Sequence, residues 1–193
     1  MYSDRPGLVL GFHGCDESLR DQVVLNKANL RASTNDYDWL GNGIYFWLNS
    51  PARALEFASQ TRLRGKIKKP SVIGAVIDLK KCLDLLDYKN LEIVQSTYNG
   101  LSKIMGTAIM AELPKNEPPP GTDENLLRKL DCYIIETIHR LTPKNQQYDS
   151  VMSVFLEGDE LYKNAGFRAK NHIQICIRNP NCIKGYFIPR ELT

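Results

Sequence analysis

The stretch Gly41-Asn42-Gly43-Ile44-Tyr45-Phe46 carries the clearest structural signal in this sequence. An aromatic, β-prone run after a glycine predicts a turn that leads into a strand over residues 43–47. The glycines would let the backbone approach a ligand closely, and the aromatic side chains offer faces for stacking. A strand of an ordinary core accounts for the same residues, so the neighbouring segments must decide between the two interpretations.

Strands and short helices are predicted on both sides of this stretch. An apolar run before it predicts a strand that ends at a turn, and apolar residues at helical spacing predict a helix on each side. A β-branched run further along predicts another strand. The predicted elements are a strand over residues 7–12 that stops at His13-Gly14, a helix capped by Asp16, a helix that Ser50 and Pro51 begin and Ala58 ends, and a strand over residues 71–79.

The second half of the chain predicts two helices and then three strands. The helical patterns cover residues 91–111 and 125–140, with a loop over 114–122 that contains three consecutive prolines. Strands are predicted over residues 151–156, 172–177 and 183–188. We therefore expect an α+β protein whose residues 1–193 form a single domain with a helical insertion at about 89–142.

The composition is that of an ordinary globular protein. Hydrophobic residues make up 42% and charged residues 24%, with a net charge of +3. The sequence shows neither a signal peptide nor a membrane span, which predicts a cytoplasmic protein without a membrane partner. The five cysteines are widely spaced without a metal-ligand pattern, so we expect reduced thiols and no metal.

Three separated segments resemble the motifs of one enzyme family when they are taken together. They are His13-Gly14-Cys15, the Gly-x-Gly-Ile-Tyr-Phe run from Gly41 to Phe46, and the late strand that contains Gln174. Their order resembles that of the ADP-ribosyltransferases of the diphtheria-toxin and poly(ADP-ribose) polymerase type. The resemblance implies two packed, mainly antiparallel β-sheets that form an NAD⁺ cleft with flanking helices, and it implies that NAD⁺ is the co-substrate.

The resemblance also implies which residues bind NAD⁺. His13 would contact a ribose hydroxyl, Gly14 would hold the nicotinamide amide through its backbone, and Cys15 stands where the family often has serine or threonine. The second motif contributes Gly43, Tyr45 and Phe46, with the tyrosine stacked on nicotinamide. The family's hydroxyl and second aromatic fall on Arg53 and Glu56 here, so Ser50 and Phe57 replace them only in a shifted register.

Gln174 matches the position at which the family usually has its catalytic glutamate, so the resemblance implies His13, Tyr45 and Gln174 as the catalytic triad. A glutamine can hold a ribose hydroxyl, but it cannot supply the negative charge that stabilises an oxocarbenium-like transition state or act as a base. The resemblance therefore implies transfer of a single ADP-ribose unit rather than chain elongation. Glu157, just before the Gln174 strand, is a second candidate for the catalytic carboxylate, and a solvated turn residue is the alternative interpretation.

We therefore expect a mono-ADP-ribosyltransferase, and an intracellular bacterial toxin of a toxin–antitoxin or phage-defence system is the expected role. Its acceptor would be RNA, DNA or protein, and basic residues 62–69 favour nucleic acid unless they form a solvated loop. An antitoxin or inhibitor protein is an expected partner. Two alternatives stay open: a catalytically silent NAD⁺- or nucleic-acid-binding module, and an NAD⁺ glycohydrolase. Arg31, Arg53 and Arg168 are candidates for the NAD⁺ diphosphate.

Overall fold

A computed structural model describes residues 7–60, 65–110, 112–121 and 124–190. In chain order the elements are β1 (Val9–Asp16), α1 (Glu17–Val24), β2 (Ile44–Leu48), α2 (Pro51–Ala58), β3 (Pro70–Ile77), β4 (Cys82–Asp84), α3 (Tyr88–Met110), β5 (Asn116–Glu117), β6 (Leu127–Arg128), α4 (Lys129–Leu141), β7 (Ser150–Phe155), β8 (His172–Ile177) and β9 (Ile183–Phe187). The protein is therefore α+β, as the sequence predicts.

Seven strands form one mixed sheet in the order β4-β7-β8-β2-β1-β3-β9, and β5 and β6 form a separate two-stranded ribbon. Neighbouring strands are antiparallel except β4 and β7, which are parallel. The expectation of two packed sheets is corrected here, because hydrogen-bonded pairing continues from β4 to β9. The weakest junction is between β1 and β2, which share only the pairs Gly11↔Leu48 and Phe12↔Trp47.

Side chains alternate between the two faces of the seven-stranded sheet along each strand, so apolar side chains lie on both faces. Helices cover both of them. On one face, which we call the α1 side, Val23 of α1 packs with Ile44, Phe46 and Ile175. On the other face, the α2/α4 side, Ala54 of α2 packs around Phe12, Trp47 and Val72, while α4 packs against β7 and β8. Helix α3 lies against α4. The sheet thus separates two different environments.

The structure differs from the predicted elements in three places. Strand β1 does not stop at Phe12 but continues to Asp16, because its register with β3 runs without interruption from Val9↔Ile77 to Asp16↔Pro70. Helix α4 is predicted from residue 125 but begins at Lys129, because the two residues before it form β6 and pair with β5. Strand β5 lies inside the segment that is predicted as a loop. Strand β4 was not predicted, since three residues are too short for a periodicity to show.

The short helix α1 begins where the sequence predicts. The Asp16 carboxylate accepts hydrogen bonds from the Ser18 N–H at 3.1 Å and from the N–H groups of Lys68 and Lys69 at 2.8 and 3.0 Å. One side chain therefore caps α1 and fixes the approach to β3. Within the described residues, no helix has the length and apolar character that a membrane span requires.

Candidate functional site

Strand β1 pairs with β2 only as far as Phe12, so Gly14 lies beyond the last described pair of the two strands. The carbonyl of Leu10 accepts a hydrogen bond from the Asn49 N–H at 3.0 Å, so the backbone groups of Leu10 point toward β2. Since backbone direction alternates along a strand, the N–H and C=O of Gly14 point the same way. The β1–β2 register ends two residues earlier, at Phe12. An amide donor and an acceptor therefore face the gap between the two strands.

His13 lies at this gap on the α1 side of the sheet. Its Nδ1 is 2.8 Å from the carbonyl oxygen of Tyr45, and its ring is 5.8 Å from that of Phe46. Because a carbonyl only accepts, Nδ1 carries the proton. Burial lowers the pKa of His13, although the bond to Tyr45 opposes the shift, so the imidazole is neutral at neutral pH. His13 holds the two diverging strands at a fixed separation.

The Tyr45 ring lies on the α2/α4 side, and its hydroxyl is already occupied. The hydroxyl donates to the Gly41 carbonyl at 2.6 Å and accepts from the Leu40 N–H at 2.8 Å. Burial raises the pKa of Tyr45 well above its ordinary value, so the phenol keeps the proton that it donates. In this structure Tyr45 organises the loop that precedes β2. The imidazole of His13 and the ring of Tyr45 thus lie on opposite faces.

Glu136 and Arg178 clamp the same loop from α4 and from the end of β8. The Glu136 carboxylate accepts the Asn42 N–H at 2.8 Å, and Arg178 donates to the Asn42 carbonyl at 2.9 Å and to both oxygens of Glu136. Gly41 has φ +75°, and a side chain there would overlap the Glu136 carboxylate. The glycine at position 41 is therefore required by both conformation and space.

We expect Glu136→Ala to lower the free energy of unfolding by about 2–3 kcal/mol, because it leaves Arg178 and the Asn42 N–H without their partner. Urea unfolding measures this change. Glu117→Ala is the matched control, since Glu117 makes an exposed ion pair with Lys129 at 3.4 Å and its loss should cost less than about 1 kcal/mol. Equal costs for the two substitutions would show that the clamp does not hold the loop.

A cluster of aromatic rings covers the α2/α4 side beside the gap. Trp39 lies 4.5 Å from Phe155, which lies 5.7 Å from His172, and Trp47 lies 6.5 Å from His172 and 5.1 Å from Phe57. These five residues, which we call the aromatic cluster, come from α2, β2, β7, β8 and the loop before β2. They line the sheet between α2 and α4.

Charged groups border the aromatic cluster at both ends. The Arg128 guanidinium stacks over Trp39 at 4.5 Å and over Phe155 at 5.0 Å. At the other end Arg53 donates to Glu157 at 3.0 Å, with exposed side-chain fractions of 14% and 17%. Burial raises the pKa of Glu157, and the positive charge of Arg53 offsets this shift only in part. A sheltered carboxylate of raised basicity is thus held beside the cluster.

Unpaired polar atoms are concentrated in this one region. In the part of the chain that the structure describes, five buried side-chain nitrogens lack a hydrogen-bond partner. Four of them belong to the aromatic cluster or its border: Trp47 Nε1, Arg53 Nε, Arg128 Nε and His172 Nε2. Since buried polar groups are normally paired, this concentration is unusual for an ordinary core. His172 donates through Nδ1 to the Lys170 carbonyl at 2.7 Å, which leaves its Nε2 as an acceptor.

Gln174 lies on the same face as the aromatic cluster. It pairs across the strands with Trp47 on β2 and with Ser153 on β7, and side chains of cross-strand partners share a face. Glu157 follows β7 beyond Phe155, which is the partner of His172. The structure therefore brings Gln174, His172 and Glu157 to one surface, whereas His13 approaches this surface only through the backbone of Tyr45.

The other predicted site residues are divided between the two faces of the sheet and the start of α2. The side chains of Cys15 and Phe46 belong to the core on the α1 side, where burial raises the pKa of the Cys15 thiol to about 11. A ligand on the opposite face would meet only their backbone. Ser50 is the N-cap residue of α2 but its hydroxyl makes no capping bond, and Phe57 belongs to the aromatic cluster. A side chain at position 43 would overlap Cys176, so packing accounts for the glycine at this position.

Among the described residues, the candidates for the NAD⁺ diphosphate and the basic residues 62–69 do not lie together at one site. Arg53 borders the aromatic cluster, Arg31 is exposed on a loop, and Arg168 pairs with Glu160 at 3.7 Å. Of the basic cluster, Arg62 and Arg64 lie outside the described residues, and Lys66, Lys68 and Lys69 are exposed.

Trp47→Phe should cost little stability, because it removes a buried N–H that has no partner. We expect the free energy of unfolding to change by less than about 1 kcal/mol, since the gain from removing this group offsets the lost ring volume. In Trp39→Phe the lost N–H leaves the Leu126 carbonyl unpaired, because the two groups are bonded at 2.7 Å. This control should cost about 2 kcal/mol more. Urea unfolding of both variants measures the difference, and equal costs would mean that Trp47 is paired.

Sequence reasoning did not identify Trp47, His172, Trp39 or Arg128 as site residues. Trp47 immediately follows the Gly-x-Gly-Ile-Tyr-Phe motif, and His172 stands two positions before Gln174, so strand alternation already places each beside a predicted site residue. No comparable signal exists for Trp39 and Arg128, which come from a loop and from a two-residue strand. No protein-family model matches this sequence, and no curated protein is significantly similar to it.

Proposed function

We propose that this protein is a mono-ADP-ribosyltransferase that takes NAD⁺ at the aromatic cluster and the gap between β1 and β2. The observation that carries the proposal is the set of four unpaired, buried nitrogens around the cluster. NAD⁺ combines a flat cationic ring with its amide, two riboses, a diphosphate and an adenine. Stacked aromatic rings, the backbone groups of Gly14 and two guanidinium groups match several of these parts in chemistry.

Several parts of NAD⁺ have a matching group in this region. The backbone N–H and C=O of Gly14 suit the nicotinamide carboxamide, which needs one donor and one acceptor. Trp47 and Phe57 offer aromatic faces for the ring, and the guanidinium groups of Arg53 and Arg128 suit phosphate oxygens. The Trp47 N–H and the His172 Nε2 suit a ribose hydroxyl, which both accepts and donates.

The proposed reaction breaks one bond and forms another. The bond between C1′ of the ribose and the nicotinamide nitrogen breaks, and nicotinamide leaves with the bonding electron pair. The acceptor's nucleophile forms a bond to C1′ and loses its proton, for which Glu157 is the proposed base. The positive charge that develops on the ribose needs a nearby negative charge, and the Glu157 carboxylate is the described acidic group closest to His172. Gln174 would position the ribose.

The acceptor class and the biological role are parts of the same proposal. A glutamine at the strand position where the family has its catalytic glutamate supports transfer of one unit, with Glu157 at the edge of the cluster as the base. An acceptor of RNA, DNA or protein, a cytoplasmic toxin role and an inhibitory partner protein follow from the family resemblance. Growth arrest on expression of the wild-type protein, relieved by Glu157→Gln, is the expected sign of the toxin role.

The direct experiment incubates the purified protein with cell lysate and NAD⁺ labelled in its adenylate part. Portions are then treated with RNase, DNase or protease, and nicotinamide release is measured alongside. We expect nicotinamide release together with label that one of the treatments removes. Release without label would indicate a glycohydrolase, and neither product would indicate a silent binding module. Gln174→Ala should slow transfer, whereas Gln22→Ala, an exposed change on α1, should leave it unchanged.

A further inference from the structure

A pocket of about 360 Å³ lies between α3, α4 and β7, and Trp39 and Phe155 line it whereas Trp47 does not. Its floor is apolar and is formed by residues of α4 and of the segments after β4 and before β2. Its volume lies at the lower end of the range of small-molecule sites, which is about 300–1,000 Å³. The pocket therefore suits one ring system with a short attachment rather than a whole dinucleotide.

The walls of this pocket suit a planar ring. Trp39, Phe155 and Tyr98 contribute aromatic faces, and Arg128 adds a planar guanidinium that already stacks on the first two. Tyr98 is 39% exposed, so it stands at the mouth of the pocket. Aromatic rings and guanidinium planes are the surfaces on which proteins stack unpaired bases.

The rim of the pocket suits a ring with several hydrogen-bonding groups on its edge. Gln95 supplies donors and acceptors, and Ser153 supplies a hydroxyl. Asp131 accepts from Asn116 at 2.9 Å and from Arg128 at 3.4 Å, and a carboxylate has lone pairs to spare beyond two such bonds. A phenyl side chain could not use these groups, whereas a nucleobase presents donors and acceptors along one edge.

One lining residue of the pocket is the strand neighbour of Gln174. Ser153 lines the pocket and is the cross-strand partner of Gln174, so the two side chains share a face at neighbouring positions. A ring held by Tyr98 and Trp39 would therefore extend toward Gln174. The pocket and the aromatic cluster share Trp39 and Phe155 as a common wall.

We propose that this pocket binds a nucleobase, either of a free nucleoside or of a single-stranded nucleic acid. Its assignment as the acceptor of ADP-ribose rests on the proposed function, whereas the binding itself does not. The nucleobase is a second ligand, distinct from the adenine of NAD⁺. In the transfer step a nitrogen of this base forms the bond to C1′, nicotinamide leaves with its electron pair, and the nitrogen's proton passes to Glu157.

The test is equilibrium binding of each ribonucleoside, and of short single-stranded RNA and DNA, to the full chain without NAD⁺. We expect saturable binding that Tyr98→Ala weakens about tenfold or more through loss of stacking and that Tyr98→Phe retains. Tyr88→Ala is the matched control, because Tyr88 lies on the same helix, is 83% exposed and does not line the pocket. It should leave binding unchanged.

The binding results distinguish a free nucleoside from a nucleic-acid strand as the source of the base. They also distinguish the proposal for this pocket from the proposed enzyme activity. Equal affinity for a nucleoside and an oligonucleotide supports a free ligand, and binding of oligonucleotides alone supports a strand. Binding of neither, equal losses in Tyr98→Ala and Tyr88→Ala, or competition by NAD⁺ for the nucleoside would overturn the inference. Nicotinamide release is measured separately, so a failure of the proposed enzyme activity is distinguishable from a failure of this pocket.

Discussion

Glu157→Gln is expected to slow ADP-ribosyl transfer by about 100-fold or more, because it removes the proposed base and its negative charge while keeping the side chain's size. Affinity for NAD⁺ should change little, since glutamine can still accept a hydrogen bond from Arg53. Initial rates of nicotinamide release with saturating NAD⁺ measure the first effect, and a binding titration measures the second.

The pH dependence of the wild-type reaction provides an independent check on Glu157. Burial raises the pKa of this carboxyl above its ordinary value of 4.5, and the neighbouring charge of Arg53 only partly opposes that shift. The reactive carboxylate is therefore lost at a higher pH than an exposed glutamate would lose it. The rate should fall as pH decreases through this raised pKa, and the residual activity of Glu157→Gln should not show this fall.

Glu160→Gln is the matched control because Glu160 lies in the same loop. Its carboxylate accepts the Asn164 N–H at 3.0 Å, pairs with Arg168 at 3.7 Å, and is more exposed than that of Glu157. Transfer by this variant should match the wild type. If both variants slowed equally, the loop's structure rather than the Glu157 carboxylate would control the rate.

Gly14→Ala is expected to lower the free energy of unfolding by about 3 kcal/mol, which is the upper part of the usual range for overpacking. A Cβ atom at this position would overlap the backbone carbonyl of Ala54, which cannot rotate away as a side chain would. Helix α2 must therefore shift, and with it Arg53 and Phe57. Urea unfolding should show the loss of stability, and NAD⁺ binding should weaken in the same variant.

The control for this substitution is Gly185→Ala on β9, where an added Cβ would meet no atom within 4 Å. A glycine in a strand is entropically unfavourable, so this change should leave stability unchanged or raise it by about 0.5 kcal/mol. A loss as large in Gly185→Ala as in Gly14→Ala would contradict the close packing of α2 on β1.

The elements of this fold could be predicted where they are long and periodic, and could not where they depend on distant partners. The strand over Ile44–Leu48 and the helix after Pro51 follow from local pattern and capping. The extension of β1 through Gly14 to Asp16 depends on pairing with β3, which lies more than fifty residues away in sequence. The single sheet is likewise a property of pairing across the β1–β2 junction.

The candidate site could be predicted only in part, because the face of the sheet on which each side chain lies depends on the strand register. Alternation places Tyr45, Trp47 and Gln174 together and sends His13 and Phe46 to the other face. This follows once the register is known, but the register is not visible in the sequence. Arg128 joins the site through stacking on Trp39, although the two are far apart in the chain, and no local pattern predicts such a contact.

The most direct test of NAD⁺ binding at this place uses the protein's own tryptophans. The chain has two, Trp39 and Trp47, and both belong to the aromatic cluster. Titration with NAD⁺, with free tryptophan as the control for light absorption by the ligand, should give a saturable change in fluorescence that Arg53→Lys weakens through loss of the guanidinium fork. A titration indistinguishable from that of free tryptophan would contradict the account.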